Sequence, residues 1–282
     1  MTWLIKIINI FVASTVISWS AEAQNKVISV GGDVTEIVYA LGKGDVLAAT
    51  DSTSVYPKAA QETPKVGYVR RLSAEGVLSI EPDLILISGA AGPPEVLDQI
   101  KASGVKIVAM PADYSIEGIL SKVMRVSEAL GAKSEGIALA SKIKAEWQEA
   151  QLEVAAMGME PSALFFATLR DGAPRAAGTE TAADGVIRLL GGENVFGGQT
   201  GYKSLSLEAA VAADPDIILV MTHDAARQGG IEQVVSHPAI ALTSAAKNKR
   251  VFLVDSVRAM QFSPRTPQAI LELARAVNAG TQ

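Results

Sequence analysis

The stretch GYVRRLSAEGVLSIEPD, Gly67 to Asp83, sets one of the chain's five tyrosines, Tyr68, just ahead of Arg70 and Arg71. An ionised phenol is a hard oxygen donor suited to a hard cation, and a nearby guanidinium favours the ionised form. Arginine can also clamp carboxylates through paired hydrogen bonds. The same spacing suits a half-buried turn tyrosine that packs by its ring and keeps its hydroxyl wet. On the residues alone both readings stand.

A second stretch, GYKSLSLEAAVAADPD from Gly201 to Asp216, reads as a worn copy of the first. Leu72 aligns with Leu205, Ser73 with Ser206, Glu75 with Glu208, Pro82 with Pro215 and Asp83 with Asp216, all at one offset of 133 positions. Gly67-Tyr68 aligns with Gly201-Tyr202 once one residue is dropped. Ser73 and Ser206 are good helix N-caps, and the glutamates that follow lie in the first turn, where an acid favours the helix dipole. Capping alone explains Glu75 and Glu208. Their second reading is one acidic knob on each of two lobes, suited to a two-fold partner with paired basic sockets.

The elements that must position these blocks form a rhythm of apolar strands and helical segments. KVISV (26–30), DLILIS (83–88) and VKIVAM (105–110) are strands of the first half; ALFFAT (163–168), DIILVM (216–221) and RVFLVD (250–255) are strands of the second. Continuous apolar strands joined by helices predict mainly parallel sheets covered on both faces. From Ser134 to Met157, apolar residues recur in steps of three and four at Ile137, Ala140, Ile143, Trp147, Ala150, Val154 and Met157. This predicts one long rigid helix joining two lobes, with an ordinary surface helix as the alternative. The expected fold class is therefore α/β, with an N-terminal lobe over 24–133, an interlobe helix over 134–158 and a C-terminal lobe over 159–282.

Lys6, the apolar run from Ile7 to Trp19 and the small residues Ala21 and Ala23 predict a secretory signal peptide over 1–23, cleaved after Ala23. The run is too short for a membrane span. The chain has no cysteine, so neither disulfides nor a lipid anchor at the cleavage site are expected. The net charge of -5 is mild and no basic stripe stands out, which argues against nucleic acid as partner and against membrane insertion of the mature chain. These features predict a soluble, monomeric periplasmic protein.

Taken together, the leader, the two lobes, the linking helix and the paired glutamates resemble the periplasmic binding proteins of metal-chelate import systems, which feed ABC importers of haem, ferric siderophores and cobalamin. The blocks VGYVRRLSAEGVLSIEPDLIL, GAPRAAGTETAADGVIRLLGGENVF, GYKSLSLEA, HPAIALTSAAKNKRVFLVD and FSPRTPQAILELA are most similar to the haem-binding members, and the resemblance as a whole covers nearly all of the mature chain. The resemblance implies ferric haem as transported ligand, Tyr68 as axial ligand of its iron, and Glu75 and Glu208 as docking points for a permease dimer carrying ATPase subunits. Tyrosine is a known axial haem ligand. Arginines around the cleft are expected to hold the propionates. Arg70, Arg71, Arg170, Tyr202, Lys203, Met260 and Arg265 are the candidate haem or propionate contacts, with Met260, Phe262 or Val69 covering a porphyrin face. Tyr202 is open between a second ligand, a propionate donor and a relic of the repeat.

Some haem-binding relatives carry a histidine opposite the tyrosine, where this chain reads LFFATLRDGAPRAAG. Its two histidines lie elsewhere: His223 after a strand, at a possible cleft edge, and His237 before Pro238, at a helix boundary. Five-coordinate iron held by tyrosine alone is expected, with Arg170 near the open face. A ferric siderophore or cobalamin on the same fold is the alternative cargo, and a secreted α/β enzyme using the cleft is the alternative class. VGGDVTEIVYALG has the strand-glycine-helix order of a phosphate site but lacks its full fingerprint, and a tight turn explains it. The sequence offers no Ser-His-Asp order, nucleophile elbow or zinc-type cluster, so no catalysis is expected.

Overall fold

In the computed structural model, residues 26–169 and 174–280 are described; the expected leader and Arg170 lie outside them. The first lobe holds β1 (Val27–Val30), β2 (Leu47–Thr50), the short hairpin β3 (Gly67–Tyr68) and β4 (Arg71–Leu72), β5 (Leu84–Ile87) and β6 (Lys106–Ala109). The second holds β7 (Ser162–Thr168), β8 (Arg175–Ala177), β9 (Glu193–Asn194), β10 (Tyr202–Ser204), β11 (Ile217–Met221) and β12 (Val251–Val254).

Strand order in the first sheet is β2-β1-β5-β6, all parallel. The second runs β10-β8-β7-β11-β12, with β9 beside β7. Its core pairs β7-β11 and β11-β12 are parallel, whereas β8 and β10 join antiparallel. The expected α/β fold with two mainly parallel lobes is therefore present. The antiparallel edge of the second lobe is an addition.

The apolar strands are continuous because both of their faces are covered. Along β5, Leu84 and Leu86 enter one core cluster while Ile85 and Ile87 enter another. Along β11, Ile217 and Leu219 enter the first of these clusters again, while Ile218 and Val220 enter a third. One face of each sheet thus contributes to a single core shared by both lobes. Helices Gly32–Ala40, Ile116–Ala129, Lys133–Ala156, Ala182–Leu189 and Thr266–Ala279 supply much of the rest, through residues such as Ile37, Val123, Ile143, Val186 and Ile270.

The long helix spans Lys133–Ala156 and buries Gly136, Ile143, Ala150 and Val154. Ile137, an expected core position, is 52% exposed. Its place is taken by Gly136, where an added Cβ would lie 2.1 Å from Ser127 Oγ. The Arg275 guanidinium on the C-terminal helix donates to both carboxylate oxygens of Glu153 on the long helix, at 2.6 and 2.8 Å.

The sequence repeat has a physical meaning in both lobes. Ser73 Oγ accepts the Gly76 N–H and Ser206 Oγ accepts the Ala209 N–H, so each serine caps its helix as expected. Such caps contribute about 1 kcal/mol each. The Asp83 carboxylate accepts the Lys26 N–H at 2.8 Å, just before β1. Its counterpart Asp216 accepts the Ser162 N–H at 2.8 Å and the Ser162 hydroxyl at 2.7 Å, where β7 begins. Each Pro-Asp pair therefore staples a central strand to the start of its neighbour.

Those Ser162 bonds hold the Asp216 carboxyl below the usual aspartate range, the hydroxyl contributing most. A lowered folded-state pKa contributes stability above the unfolded value of about 3.9, and that contribution is lost as pH falls through the folded value. Asp216→Asn is expected to be less stable at neutral pH, with a smaller further loss below about pH 4. Urea denaturation across pH checks this. Parallel pH profiles for the two proteins would contradict it.

Candidate functional site

The carboxyl ends of parallel strands are where ligand crevices form in open α/β sheets, and a cleft lies there. The loops after β1, β5 and β6 line it on one side, with Tyr68 and Arg70 of the β3-β4 hairpin. Ala182, Met260 and Gln261 line the other. Enclosed volume is about 140 Å³, below the roughly 300–1,000 Å³ of pockets that engulf a ligand. A larger ligand must therefore be gripped by one edge and project between the lobes.

The hairpin is short, and Val69 and Arg70 form its turn. Val69 is buried in the first lobe's outer core, and its carbonyl accepts the Gly92 N–H at 2.9 Å. It roots the turn and leaves little surface for a ligand. Tyr68 is 43% exposed and Arg70 is exposed, both at the cleft mouth. Arg71 pairs with Tyr68 across the hairpin but is not among the cleft-lining residues.

Two further tyrosines face Arg70 electrostatically. Burial pushes the phenols of Tyr114 and Tyr202 up, and the Arg70 charge opposes this in both. The Ala183 N–H and the Thr181 hydroxyl also oppose this rise for Tyr202. Tyr202 is thus turned toward the start of helix Ala182–Leu189. Lys203, next to it on the edge strand β10, is exposed and does not line the cleft.

Beneath the cleft lies a buried polar joint. Lys122 Nζ, 3% exposed, reaches Asp33 Oδ2 at 2.8 Å and donates to the Phe262 carbonyl at 2.6 Å. Ser88 Oγ donates to the same Asp33 oxygen at 3.2 Å. Gln261 Nε2 donates to the Thr53 carbonyl at 3.2 Å. The segment after β12 is thereby fastened onto the first lobe. Phe262 adopts φ 52°, a left-handed conformation costing a non-glycine residue about 1–3 kcal/mol. The Lys122 bond and full burial of the ring hold it there.

This joint revises two expectations. Phe262 is fully buried, packed edge-on against Tyr114 with ring centroids 5.4 Å apart, so it supports the cleft from below and covers no ligand face. Arg265 is not at the cleft: its guanidinium donates to both Glu36 oxygens at 3.0 and 2.8 Å and lies 3.4 Å from the Tyr56 ring centroid. With its charge matched by a nearly buried carboxylate, Arg265 is an interlobe fastener. Met260 does line the cleft.

The glycine-rich turn after β1 is likewise accounted for. Gly31 has φ 110° and donates to Asp51 Oδ1, and Gly32 donates to Thr53 Oγ1. The N–H groups a phosphate would need already have partners. His223 is exposed and within 3.3 Å of Ser256 Oγ, away from the cleft lining, and His237 Nδ1 caps Ala239 at a helix start, as its position before Pro238 suggests. Among the described residues, no group of three His, Cys, Asp or Glu side chains could hold a metal, and no helix is long and apolar enough to cross a membrane.

Tyr114, Lys122, Asp33 and Gln261 were not singled out from sequence. Two of them carried a signal. Tyr114 sits just past a predicted parallel strand, at the crevice end. Lys122 falls on the apolar stripe of Ile119, Val123 and Val126, where a lysine is tolerated only with a partner.

Two α/β lobes sharing a base and facing each other across an open cleft form the architecture of a solute-binding protein. The chain belongs to the periplasmic binding protein family, whose sequence profile spans residues 27–257. It is similar in structure to the periplasmic heme-binding protein BhuT in complex with two hemes, at 36% identity and TM-score 0.86, over 91% of this chain and 99% of that one. It is also similar to the periplasmic heme-binding protein RhuT from Roseiflexus sp. RS-1, at 36% identity and TM-score 0.84, over 92% and 99%. In sequence it is 28% identical to a vitamin B12-binding protein of Vibrio parahaemolyticus, over 89% of each chain.

Proposed function

We propose that this chain is the periplasmic substrate-binding protein of an ABC importer, and that its cargo is ferric haem held in the interlobe cleft and liganded by Tyr68. The carrying observation is the hairpin: an exposed phenol at the cleft mouth, beside the Arg70 guanidinium and across from Met260. A phenolate oxygen suits Fe(III), a guanidinium suits a propionate, and a thioether with aromatic neighbours suits an apolar macrocycle. Tyr114, half-buried in the cleft lining, offers a phenol hydroxyl as a hydrogen-bond donor. The similarity to two heme-binding proteins supports the same cargo.

Cobalamin is the second reading, favoured by the similarity to a vitamin B12-binding protein. It requires no tyrosine ligand, since its cobalt already carries axial ligands of its own. Competition separates the cargoes: hemin is expected to displace cyanocobalamin and a ferric siderophore from the cleft, and the reverse order of affinity would transfer the assignment.

Glu75 and Glu208 are exposed at the first turns of equivalent helices in the two lobes, and neither joins a salt bridge among the described residues. They are the docking knobs for the permease dimer. The double variant Glu75→Ala/Glu208→Ala is expected to keep hemin affinity within about twofold, as distant surface changes do. It should also lose stimulation of the importer's ATPase in reconstituted membranes. Full stimulation by the double variant would remove the knobs from the docking surface.

A further inference from the structure

Tyr114 borders two cavities at once. On one side is the cleft of about 140 Å³, with Tyr68 and Arg70; on the other is a groove of about 560 Å³ lined by Ser115, Trp147, Met159 and Arg188. That second space runs between the lobes along the long helix, whose Trp147, Gln151 and Val154 form part of its wall. Tyr114 is the lining residue that the two spaces share.

The partition is held from several directions. The Tyr114 ring meets Phe262 edge-on, and Phe262 is fixed by Lys122. Gly185, in the opposite lobe, approaches so closely that an added Cβ would lie 2.6 Å from the Tyr114 carbonyl and 2.8 Å from its Cβ. Only a glycine lets the helix come this near. Arg188 Nη2 reaches the same carbonyl at 3.5 Å. Of the groups facing the phenol, Arg70 and Asp33 act on its charge with opposite signs, and Tyr202 lies close by.

We propose that Tyr114 is the end-stop of the cleft, a specificity-determining residue that admits the edge of a flat macrocycle and excludes a bulkier ligand from the groove behind. The inference rests on the reading of the cleft as a haem site. It goes further in naming what limits depth. Removing the ring joins the shallow cleft to the larger groove, so a thick corrinoid with substituents on both faces gains room while a flat plate loses its seat. Tyr114→Phe keeps the ring and therefore keeps the stop.

The test measures hemin and cyanocobalamin affinities of the wild type, Tyr114→Phe, Tyr114→Leu and Tyr114→Ala, with a thermal melt for each. The hemin-to-cobalamin affinity ratio is expected to be unchanged in Tyr114→Phe. In Tyr114→Ala it should fall by about 10–200-fold, the range one altered pocket contact commands. Tyr114→Leu, which keeps an apolar plug against Phe262, should fall between them and serves if the alanine variant does not fold. Equal ratios in the wild type and in a folded leucine or alanine variant overturn the end-stop. A wild type that takes up cyanocobalamin and ignores hemin defeats the haem reading instead. The end-stop is then judged by whether truncation tightens cyanocobalamin binding, and unchanged binding overturns it.

Discussion

Tyr68→Ala is expected to weaken hemin binding by more than about 100-fold. Residues that merely support a metal ligand change affinity by about 10–100-fold, so removal of the ligand itself should exceed that range. Tyr68→Phe is the sharper variant because it keeps the ring and removes only the oxygen. Both should melt close to the wild type: Tyr68 is 43% exposed on a hairpin whose anchor is the neighbouring Val69. A large loss of affinity at constant stability assigns the phenol to the iron. Tyr202→Phe is expected to cost far less, since its hydroxyl faces Thr181 and Ala183 in its own lobe. Hemin titrations of the three variants, followed by absorbance, make the comparison. Equal effects at Tyr68 and Tyr202 would make both tyrosines lining residues of similar weight.

Lys122→Met should destabilise the protein by about 3–5 kcal/mol, the usual result of leaving one partner of a buried ion pair uncompensated. Asp33 would keep a charge at the base of the cleft with only Ser88 to receive it, and the Phe262 carbonyl would lose its 2.6 Å donor. The left-handed Phe262 then loses part of what holds it. Adding Asp33→Asn removes the stranded charge and should recover a large share of the loss, because the pair is costly mainly when it is broken. Guanidinium denaturation of both variants checks this. No recovery in the double variant would mean that the carbonyl bonds of Lys122, and not its charge, carry the joint. The same joint links the cleft to the shared core: Gln261 and Phe262, which follow the cleft-lining Met260, are placed by bonds to Lys122 and Thr53 of the other lobe.

The parts of this structure legible in sequence are those governed by local pattern. β1, β5, β7 and β11 were readable because strands buried on both faces must be apolar throughout, and the edge strands β6 and β12 were readable from their β-branched and aromatic runs. The serine caps and the paired Pro-Asp turns were readable because capping chemistry is local. β2 was missed because Leu-Ala-Ala-Thr has little strand character, although Ala49 and Thr50 are fully buried. β8 and β10 are three residues each and exist only through their antiparallel pairing, which leaves no periodic trace.

At the site, Tyr68, Arg70 and Met260 were found from residue type and block resemblance, and all three line the cleft. Arg265 was misplaced for a different reason. Its partner Glu36 is 229 positions away, so nothing near it in sequence shows that its charge is already matched. Phe262 was misread because an aromatic near a cleft looks the same in sequence whether it lines the wall or props it. Lys122 and Asp33, 89 positions apart, show the same limit: long-range polar pairing is fixed by packing, after the pattern has done its part.

The central claim is tested most directly by titrating hemin into the purified protein and reading the absorption spectrum beside that of Tyr68→Phe. A saturable high-spin ferric spectrum of the tyrosine-ligated type is predicted for the wild type, lost in the variant. No saturable change, or the same spectrum and affinity in Tyr68→Phe, would contradict the assignment of Tyr68 as the iron ligand.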